Sequence, residues 1–237
     1  MFNMTNLLYD AVSRAHALCF DLFHTLTDIN ETSPGGKNTW ELFGVSKDAW
    51  HAQVLDNSPW RLTGIVKDPV EIIGRMARAI HPDISDDLVR GVAEYRYGRF
   101  DRAVLSPPER SLDALRGLKR MGKKIALVSN ADAAEVRSWN QSPFAPFFDY
   151  AVFSCDVGCM KPDARIFLKA LERLGEKPEH CIFVGDGGAD ELRAARGLGF
   201  TTVMVTGYLN IAPEKMQERE AHADYVIRHV DELVSFP

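Results

Sequence analysis

The chain has 237 residues, of which 46% are hydrophobic and 26% charged, and this composition is typical of a folded globular protein. Its formal net charge is -5, and no basic stretch runs through it, so the sequence lacks the basic surface expected of a nucleic-acid-binding protein. No apolar run approaches the roughly 20 residues that span a bilayer, and we expect no membrane association.

The N-terminal segment has no basic region ahead of its apolar residues, which argues against a secretory signal and favours a cytoplasmic protein. Two of the four cysteines, Cys19 and Cys181, lie inside apolar runs, where a buried free thiol is the usual state. We therefore expect reduced cysteines rather than disulfides or a cysteine metal site.

Short continuous apolar runs recur along the chain, each followed by a loop of small or acidic residues. They lie at 17–20, 125–128, 150–153, 181–184 and 202–205, with a weaker run at 225–227. Unbroken apolar runs of this length are typical of strands buried on both faces of a parallel sheet. Amphipathic helical patterns separate them, at 112–121, 166–174 and 192–195. Alternating strands and helices predict an α/β fold with a doubly wound parallel sheet.

The region 30–108 breaks this alternation, because it contains no strong strand pattern. It is rich in Trp, Arg and helix formers, with possible helices near 40–43, 69–80 and 86–100. We predict an inserted helical domain at 30–108, and a Rossmann-like core made of 1–29 and 109–237. Tryptophans at this spacing more often form the core of such a domain than a ligand pocket. Its arginines could bind an anionic substrate, although arginines on helices are usually only solvated; they include Arg61, Arg75, Arg78 and Arg99.

Polar side chains follow several of the predicted strands at the point where each strand ends. Ligands bind at this edge of a parallel sheet, so these side chains are expected to meet there. Any one of them alone could be a helix cap, but their joint occurrence in this order is more specific; they are Asp21, Ser129, Asn130, Lys161, Asp186 and Asp190.

Four sequence motifs in this order resemble the haloacid dehalogenase-like hydrolase superfamily. They are Asp-Leu-Phe-His-Thr-Leu-Thr from residue 21, Val-Ser-Asn from 128, Lys-Pro-Asp-x-x-Ile-Phe from 161, and Gly-Asp-x-x-x-Asp from 185. The resemblance implies a Rossmann-like core with a helical cap inserted after the first motif, which is where 30–108 lies. It also implies a nucleophilic aspartate and a covalent aspartyl intermediate.

The resemblance assigns a role to each matching residue. Asp21 would be the nucleophile, because a carboxylate can attack phosphorus or carbon and form a labile ester. Thr25, Ser129 and Lys161 would bind the oxygens of the transferring group. Magnesium would be held by Asp21, Asp186, Asp190 and the backbone carbonyl of Phe23, in keeping with its preference for carboxylates and water. The side chains expected to contact or align a small anionic substrate are Phe23, His24 and Asn130.

Phe23 is the main departure from the family's phosphatases, which carry a second aspartate at this position as general acid and base. An aromatic residue here resembles the 2-haloacid dehalogenase branch, which works without a metal and whose halide leaves without a proton. The fourth motif, in contrast, resembles the metal-binding version found in phosphatases. His24 is adjacent and could replace the missing acid, or point away from the site.

Three functions therefore stay open. A Mg²⁺-dependent phosphatase acting on a small organophosphate is favoured, and a metal-independent 2-haloacid dehalogenase-type hydrolase is the second possibility. The third is a catalytically impaired binding protein with the same fold. A phospho-receiver domain fits poorly, because receivers carry an acidic pair before the phosphorylated aspartate and lack an insert. We expect a monomer or a homodimer.

Overall fold

The computed structural model describes residues 4–235, and its centre is one parallel sheet of six strands. The strands are β1 (Ala17–Phe20), β2 (Lys124–Ser129), β3 (Tyr150–Phe153), β4 (Cys181–Gly185), β5 (Thr201–Val205) and β6 (Tyr225–Ile227). Their order in the sheet is β3-β2-β1-β4-β5-β6, and every neighbouring pair is parallel. The chain winds outward on one side of β1 and then on the other, which opens a crevice at the carboxyl end of β1.

Helices cover both faces of the sheet, as the unbroken apolar strands require. On one face α1 (Met4–Arg14) and α7 (Glu109–Arg120) pack against Leu18 and Phe20 of β1. On the other face α9 (Ala164–Leu174) and α10 (Glu191–Leu198) pack against Ala17 and Cys19. Two shorter helices, α8 (Ser154–Val157) and α11 (Pro213–Glu220), follow β3 and β5. The predicted α/β fold with a doubly wound parallel sheet is confirmed.

Five helices lie between β1 and α7. They are α2 (Thr39–Phe43), α3 (Lys47–Leu55), α4 (Pro59–Leu62), α5 (Pro69–Ile80) and α6 (Asp86–Leu105). The two longest begin at side-chain caps, because Asp68 accepts a hydrogen bond from the Glu71 amide and Ser85 accepts one from the Leu88 amide.

These helices share an apolar cluster that is separate from those on the sheet. It is centred on Trp50, Ile72, Ile73 and Tyr97, and Ala134 is its one buried member from outside the insert. Trp40 and Trp60 pack against the same cluster. This separate core supports an inserted helical domain, whose boundaries at 30 and 108 stay a prediction.

All four cysteines are free and buried. Among the described residues, no helix combines the length and the apolar character needed to cross a membrane.

Candidate active site

The carboxyl edge of the sheet brings together side chains from three neighbouring strands. Asp21 directly follows β1, and its amide donates to the carbonyl of Val184 in β4 at 2.9 Å. Ser129 ends β2, and Asp186 directly follows β4. All three residues are buried although their side chains are polar. The sheet therefore forms the floor of a small polar site next to the crevice beside β1.

Lys161 is the central cation of this site and is only 2% exposed. Its Nζ lies 2.5 Å from Oδ1 of Asp21 and 2.5 Å from Oε2 of Glu191, so one ammonium group bridges two carboxylates. Asn130 fixes the backbone of Lys161 by accepting from its amide at 2.8 Å and donating to its carbonyl at 3.0 Å. The structure thus gives Asn130 a positioning role on Lys161.

The protonation states follow from burial and from this bridge. Burial opposes the charged form of Lys161, but Asp21 and Glu191 outweigh it and raise the pKa of the ammonium group. Burial also raises the pKa of Asp21, with Lys161 as the main opposing influence. The pKa of Glu191 is raised well above its usual range, chiefly by burial. Since Lys161 stays charged, it is the group that favours the ionised form of the nucleophile.

Two hydroxyl groups face the same region. Thr25 Oγ1 donates to Oδ2 of Asp21 at 3.3 Å, so the carboxylate is held by Thr25 on one oxygen and by Lys161 on the other. Ser129 is 1% exposed, and its Oγ has no hydrogen-bond partner among the described residues. A buried hydroxyl without a partner costs free energy, typically about 1–3 kcal/mol. Donation by Ser129 to the transferring group stays a prediction.

Asp186 is held on both carboxylate oxygens. Oδ1 accepts from the Gly188 amide at 2.9 Å, and Oδ2 accepts from Nη1 of Arg219 in α11, also at 2.9 Å. The same nitrogen donates to the Asp186 carbonyl at 3.0 Å. Gly187 makes this approach possible, because a Cβ at that position would lie 2.9 Å from Cβ of Arg219. Arg219 could not be predicted from the sequence, since no motif connects it to Asp186, which lies 33 positions away.

Carboxylate oxygens of Asp21, Asp186 and Glu191 lie within 4.8 Å of one another. Within this group Lys161 is the cationic partner of Asp21 and Glu191, and Arg219 is that of Asp186. Carboxylate oxygens are the hard donors that a divalent cation such as Mg²⁺ prefers, so the donor set fits the ion that the family resemblance implies. Binding of Mg²⁺ by the backbone carbonyl of Phe23 stays a prediction.

Asp190, in contrast, does not lie with these carboxylates. Its side chain is about half exposed and pairs with Arg193 at 2.5 Å. Ala189 and Asp190 both adopt left-handed backbone conformations, with φ of 50° and 54°, and α10 then begins at Glu191. This turn directs Asp190 outward and Glu191 inward. Binding of the metal by Asp190 stays a prediction, and the acid that lies with Asp21 and Asp186 in the described residues is Glu191, which carried no signal in the sequence motifs.

Phe23 and His24 lie on the loop after the nucleophile. The half-buried Phe23 packs edge-on against Phe100 of α6, with ring centroids 5.0 Å apart. His24 has a φ of 61°, uncommon for a residue other than glycine, and its Nδ1 lies 2.5 Å from Oδ2 of Asp28. Burial disfavours the imidazolium, but the hydrogen bond to Asp28 and nearby carboxylates outweigh it and raise the pKa of His24. Contact of either residue with substrate stays a prediction.

The four arginines of the insert that could bind an anionic substrate all have other partners. Arg61 pairs with Asp132 at 2.9 Å and with Glu135 at 3.2 Å, both in the loop after β2. The remaining three are bonded within 30–108, Arg75 to Glu71, Arg78 to Asp86, and Arg99 to Asn30 and the Lys37 carbonyl.

A family model described as haloacid dehalogenase-like hydrolase matches residues 15–199. The chain belongs to this family, and it is a hydrolase. The match extends from the segment before β1 to the end of α10, so it includes the loop of Asp21 as well as Lys161, Asp186 and Glu191. The recognition made from the four motifs is thereby confirmed.

Named proteins and solved structures that resemble this chain differ in activity. Glyceraldehyde 3-phosphate phosphatase from Methanocaldococcus jannaschii is 30% identical over 141 residues, which cover 58% of this chain and 59% of that protein. The chain thus spans less than two thirds of this relative's length. L-2-haloacid dehalogenase from Xanthobacter autotrophicus, with chloropropionic acid covalently bound, has a TM-score of 0.63 at 18% identity, covering 92% of this chain and 96% of that one.

A second solved structure is an enzyme of the haloacid dehalogenase (HAD) family from Bacteroides thetaiotaomicron, in complex with magnesium and inorganic phosphate. It has a TM-score of 0.60 at 17% identity and covers 84% of this chain and 98% of that one. Likeness at this level of identity establishes the shared fold and leaves the choice of chemistry to the residues of the site.

Proposed function

We propose that this hydrolase is a Mg²⁺-dependent phosphatase acting on a small organophosphate. The observation that carries the proposal is the buried Ser129 hydroxyl, which has no partner within residues 4–235, at the same edge of the sheet as the paired Asp21 and Lys161. A phosphoryl group offers several oxygens that accept hydrogen bonds, and one of them would satisfy Ser129. The phosphatase named among the relatives supports the same chemistry.

In the proposed reaction, Asp21 attacks phosphorus and the bond from phosphorus to the ester oxygen breaks. The leaving oxygen takes its proton from solvent water, and a second water then hydrolyses the aspartyl phosphate, which releases inorganic phosphate and restores the Asp21 carboxylate. Lys161, Ser129 and Thr25 bind the phosphoryl oxygens and stabilise the charge that develops on them. Asp21, Asp186 and Glu191 are the carboxylates available to Mg²⁺, which supplies further positive charge to the transferring group when bound.

Phe23 removes the acid that would normally protonate the leaving group. Loss of a general acid or base typically lowers the rate by about 10²–10⁴-fold. We therefore expect slow turnover of ordinary alkyl phosphates and faster turnover of substrates with good leaving groups. If alkyl phosphates are turned over at an ordinary rate of about 10 s⁻¹, another residue transfers the proton, and His24→Ala is the next variant to measure.

A dehalogenase is the second candidate, and the aromatic residue at position 23 favours it. In that reaction Asp21 attacks the carbon that bears the halogen, the bond from carbon to halogen breaks, and halide leaves without a proton. Arg219 supports this alternative, because it already gives Asp186 a cationic partner.

One experiment separates the candidates: release of inorganic phosphate and of halide, each measured with Mg²⁺ and with EDTA. The phosphatase predicts phosphate release that requires Mg²⁺ and disappears in Asp21→Asn, which preserves the size of the side chain. Asp156→Asn is the matched control, because it neutralises an exposed acid in α8, which follows β3 at the same edge of the sheet. Halide release in EDTA would establish the dehalogenase, and a folded protein that releases neither product would indicate the impaired binding protein.

A further inference from the structure

A second group of metal-binding side chains lies at the opposite, amino-terminal edge of the sheet. It consists of His16, Glu176 and His180, each of which offers a ligand atom within 4.8 Å of the other two. His16 directly precedes β1, His180 directly precedes β4, and Glu176 follows Gly175 at the end of α9. The group is far along the strands from Asp21 and belongs to no motif of the hydrolase family.

The two histidines directly precede adjoining strands, so the pairing of these strands sets their separation. Ala17 and Cys181 are paired in the register of β1 and β4, and His16 and His180 continue this register by one residue. The His16 amide donates to the His180 carbonyl at 2.8 Å, and the two ring centroids lie 4.6 Å apart. Hydrogen-bonded backbone thus holds the two residues side by side, and their imidazoles lie close enough to bind one ion.

Glu176 completes the group with a charged oxygen. Its Oε2 lies 3.0 Å from Nδ1 of His16, and Nζ of Lys124 bonds its other oxygen, Oε1, at 2.7 Å. The hydrogen bond from Lys124 is the largest of the influences that lower the pKa of Glu176, so the carboxylate is ionised at neutral pH. Lys124 also donates to the Leu174 carbonyl at 2.8 Å, which holds it on the side of Oε1 and leaves Oε2 turned toward the histidines.

We propose that His16, Glu176 and His180 form a binding site for one divalent transition-metal ion of the zinc type. Two imidazole nitrogens and one carboxylate oxygen are a ligand set that Zn²⁺ accepts, with water in the fourth position. Imidazole ligands also favour Zn²⁺ over Mg²⁺ or Ca²⁺. Both histidines are exposed, so an ion reaches the site from solvent.

Such an ion would join three segments that are distant in sequence, the starts of β1 and β4 and the end of α9. Because it binds the folded arrangement and not the unfolded chain, it would stabilise the core in proportion to its concentration. The site is independent of the proposed phosphatase activity.

The test is calorimetric titration of the purified full chain with Zn²⁺, in buffer containing excess Mg²⁺ to occupy the carboxylates near Asp21. We expect the wild type to bind one Zn²⁺ at a saturable site and to melt at a higher temperature with Zn²⁺ than without. His180→Ala should weaken binding by about 100-fold or more, because loss of an outer-sphere partner alone typically weakens metal binding by 10–100-fold. His81→Ala is the control, since it removes an exposed histidine elsewhere and should leave Zn²⁺ affinity unchanged.

Glu176→Gln is the second variant, chosen because it keeps the size of the side chain if His180→Ala disturbs the sheet. Melting without metal is measured first, to establish that each variant is folded. Glu176→Gln should weaken binding by about tenfold or more, which corresponds to 1.4 kcal/mol. Absence of saturable Zn²⁺ binding by the wild type would overturn the proposal, as would equal Zn²⁺ affinity in the wild type and either variant.

Discussion

Arg61 is expected to be the most important single ion-pairing residue between the inserted helices and the core. Its guanidinium lies 2.9 Å from Asp132 and 3.2 Å from Glu135, and the three side chains are 5%, 1% and 5% exposed. Removal of one partner from a buried ion pair usually costs about 3–5 kcal/mol, because the remaining charge stays buried without compensation. Arg96 still contacts Glu135 at 2.7 Å, so in Arg61→Ala the loss is concentrated on Asp132.

The expected loss for Arg61→Ala is therefore about 3–5 kcal/mol of unfolding free energy. For a protein of this size, 1 kcal/mol lowers the melting temperature by about 2–4 °C, which gives a decrease of roughly 6–20 °C. Arg75→Ala is the control, because Arg75 forms an exposed pair with Glu71 on α5. Such a pair contributes about 1 kcal/mol or less.

The loss should also depend on pH. Burial and Glu135 raise the pKa of Asp132 to about 6 even though Arg61 opposes them. Without Arg61 this pKa rises further, so the variant loses more stability than the wild type as pH rises above about 6. We expect the stability difference, measured by urea unfolding, to be larger at pH 8 than at pH 5. A difference below 1 kcal/mol, or one that is the same at both pH values, would refute this account of Arg61.

Three further predictions concern the site. Arg219→Gln should tighten Mg²⁺ binding by about tenfold or more in calorimetry, because it removes a positive charge that occupies Oδ2 of Asp186; unchanged or weaker binding would contradict this. Since the folded pKa of His24 is raised, the stability it contributes is complete below about pH 6.5 and is lost as pH rises through the folded pKa. In EDTA, the melting temperature of the wild type should therefore fall more between pH 6.5 and 8 than that of His24→Asn. Asparagine is chosen because it tolerates the left-handed backbone at this position. An equal fall in the melting temperatures of both proteins would exclude the effect. Phe23→Asp should raise turnover of alkyl phosphates by about 10-fold or more if the missing acid is the limitation, and a folded variant without any gain would show that it is not.

The strands could be predicted because a strand that is buried on both faces is an unbroken run of apolar residues. The apolar run at 181–184 became β4 (Cys181–Gly185), and the run at 125–128 became β2 (Lys124–Ser129), so the differences are confined to strand ends. In the insert the pattern is weaker. Helix α6 continues to Leu105, beyond the predicted end at 100, because Ala103 and Val104 are buried, and Val104 joins the cluster on the sheet. That contact is tertiary and has no local signal.

The site was predictable where motif and strand end coincide, and not where a loop decides the direction of a side chain. Asp21 and Asp186 each follow a strand directly, so both lie at the carboxyl edge of the sheet. Asp190 and Glu191 are adjacent acids, and only the left-handed turn before α10 determines which of them faces inward. Arg219 approaches from a helix that follows a different strand, and this placement depends on the complete fold.

Phe23 links the chemistry of the nucleophile loop to the packing of the inserted helices. The Phe23 ring contacts the ring of Phe100. The guanidinium of Arg96 also lies over the Phe100 ring, 4.8 Å from its centroid. Arg96 in turn pairs with Glu135, which also pairs with Arg61. An aspartate at position 23 would therefore lose an aromatic contact between the insert and the core. A gain in proton transfer and a weaker attachment of the insert should thus occur together in Phe23→Asp, whereas Phe23→Asn should show the weaker attachment alone. Comparison of the two variants separates the effect of the missing acid on turnover from the effect of the lost aromatic contact, because only the aspartate of Phe23→Asp can carry a proton.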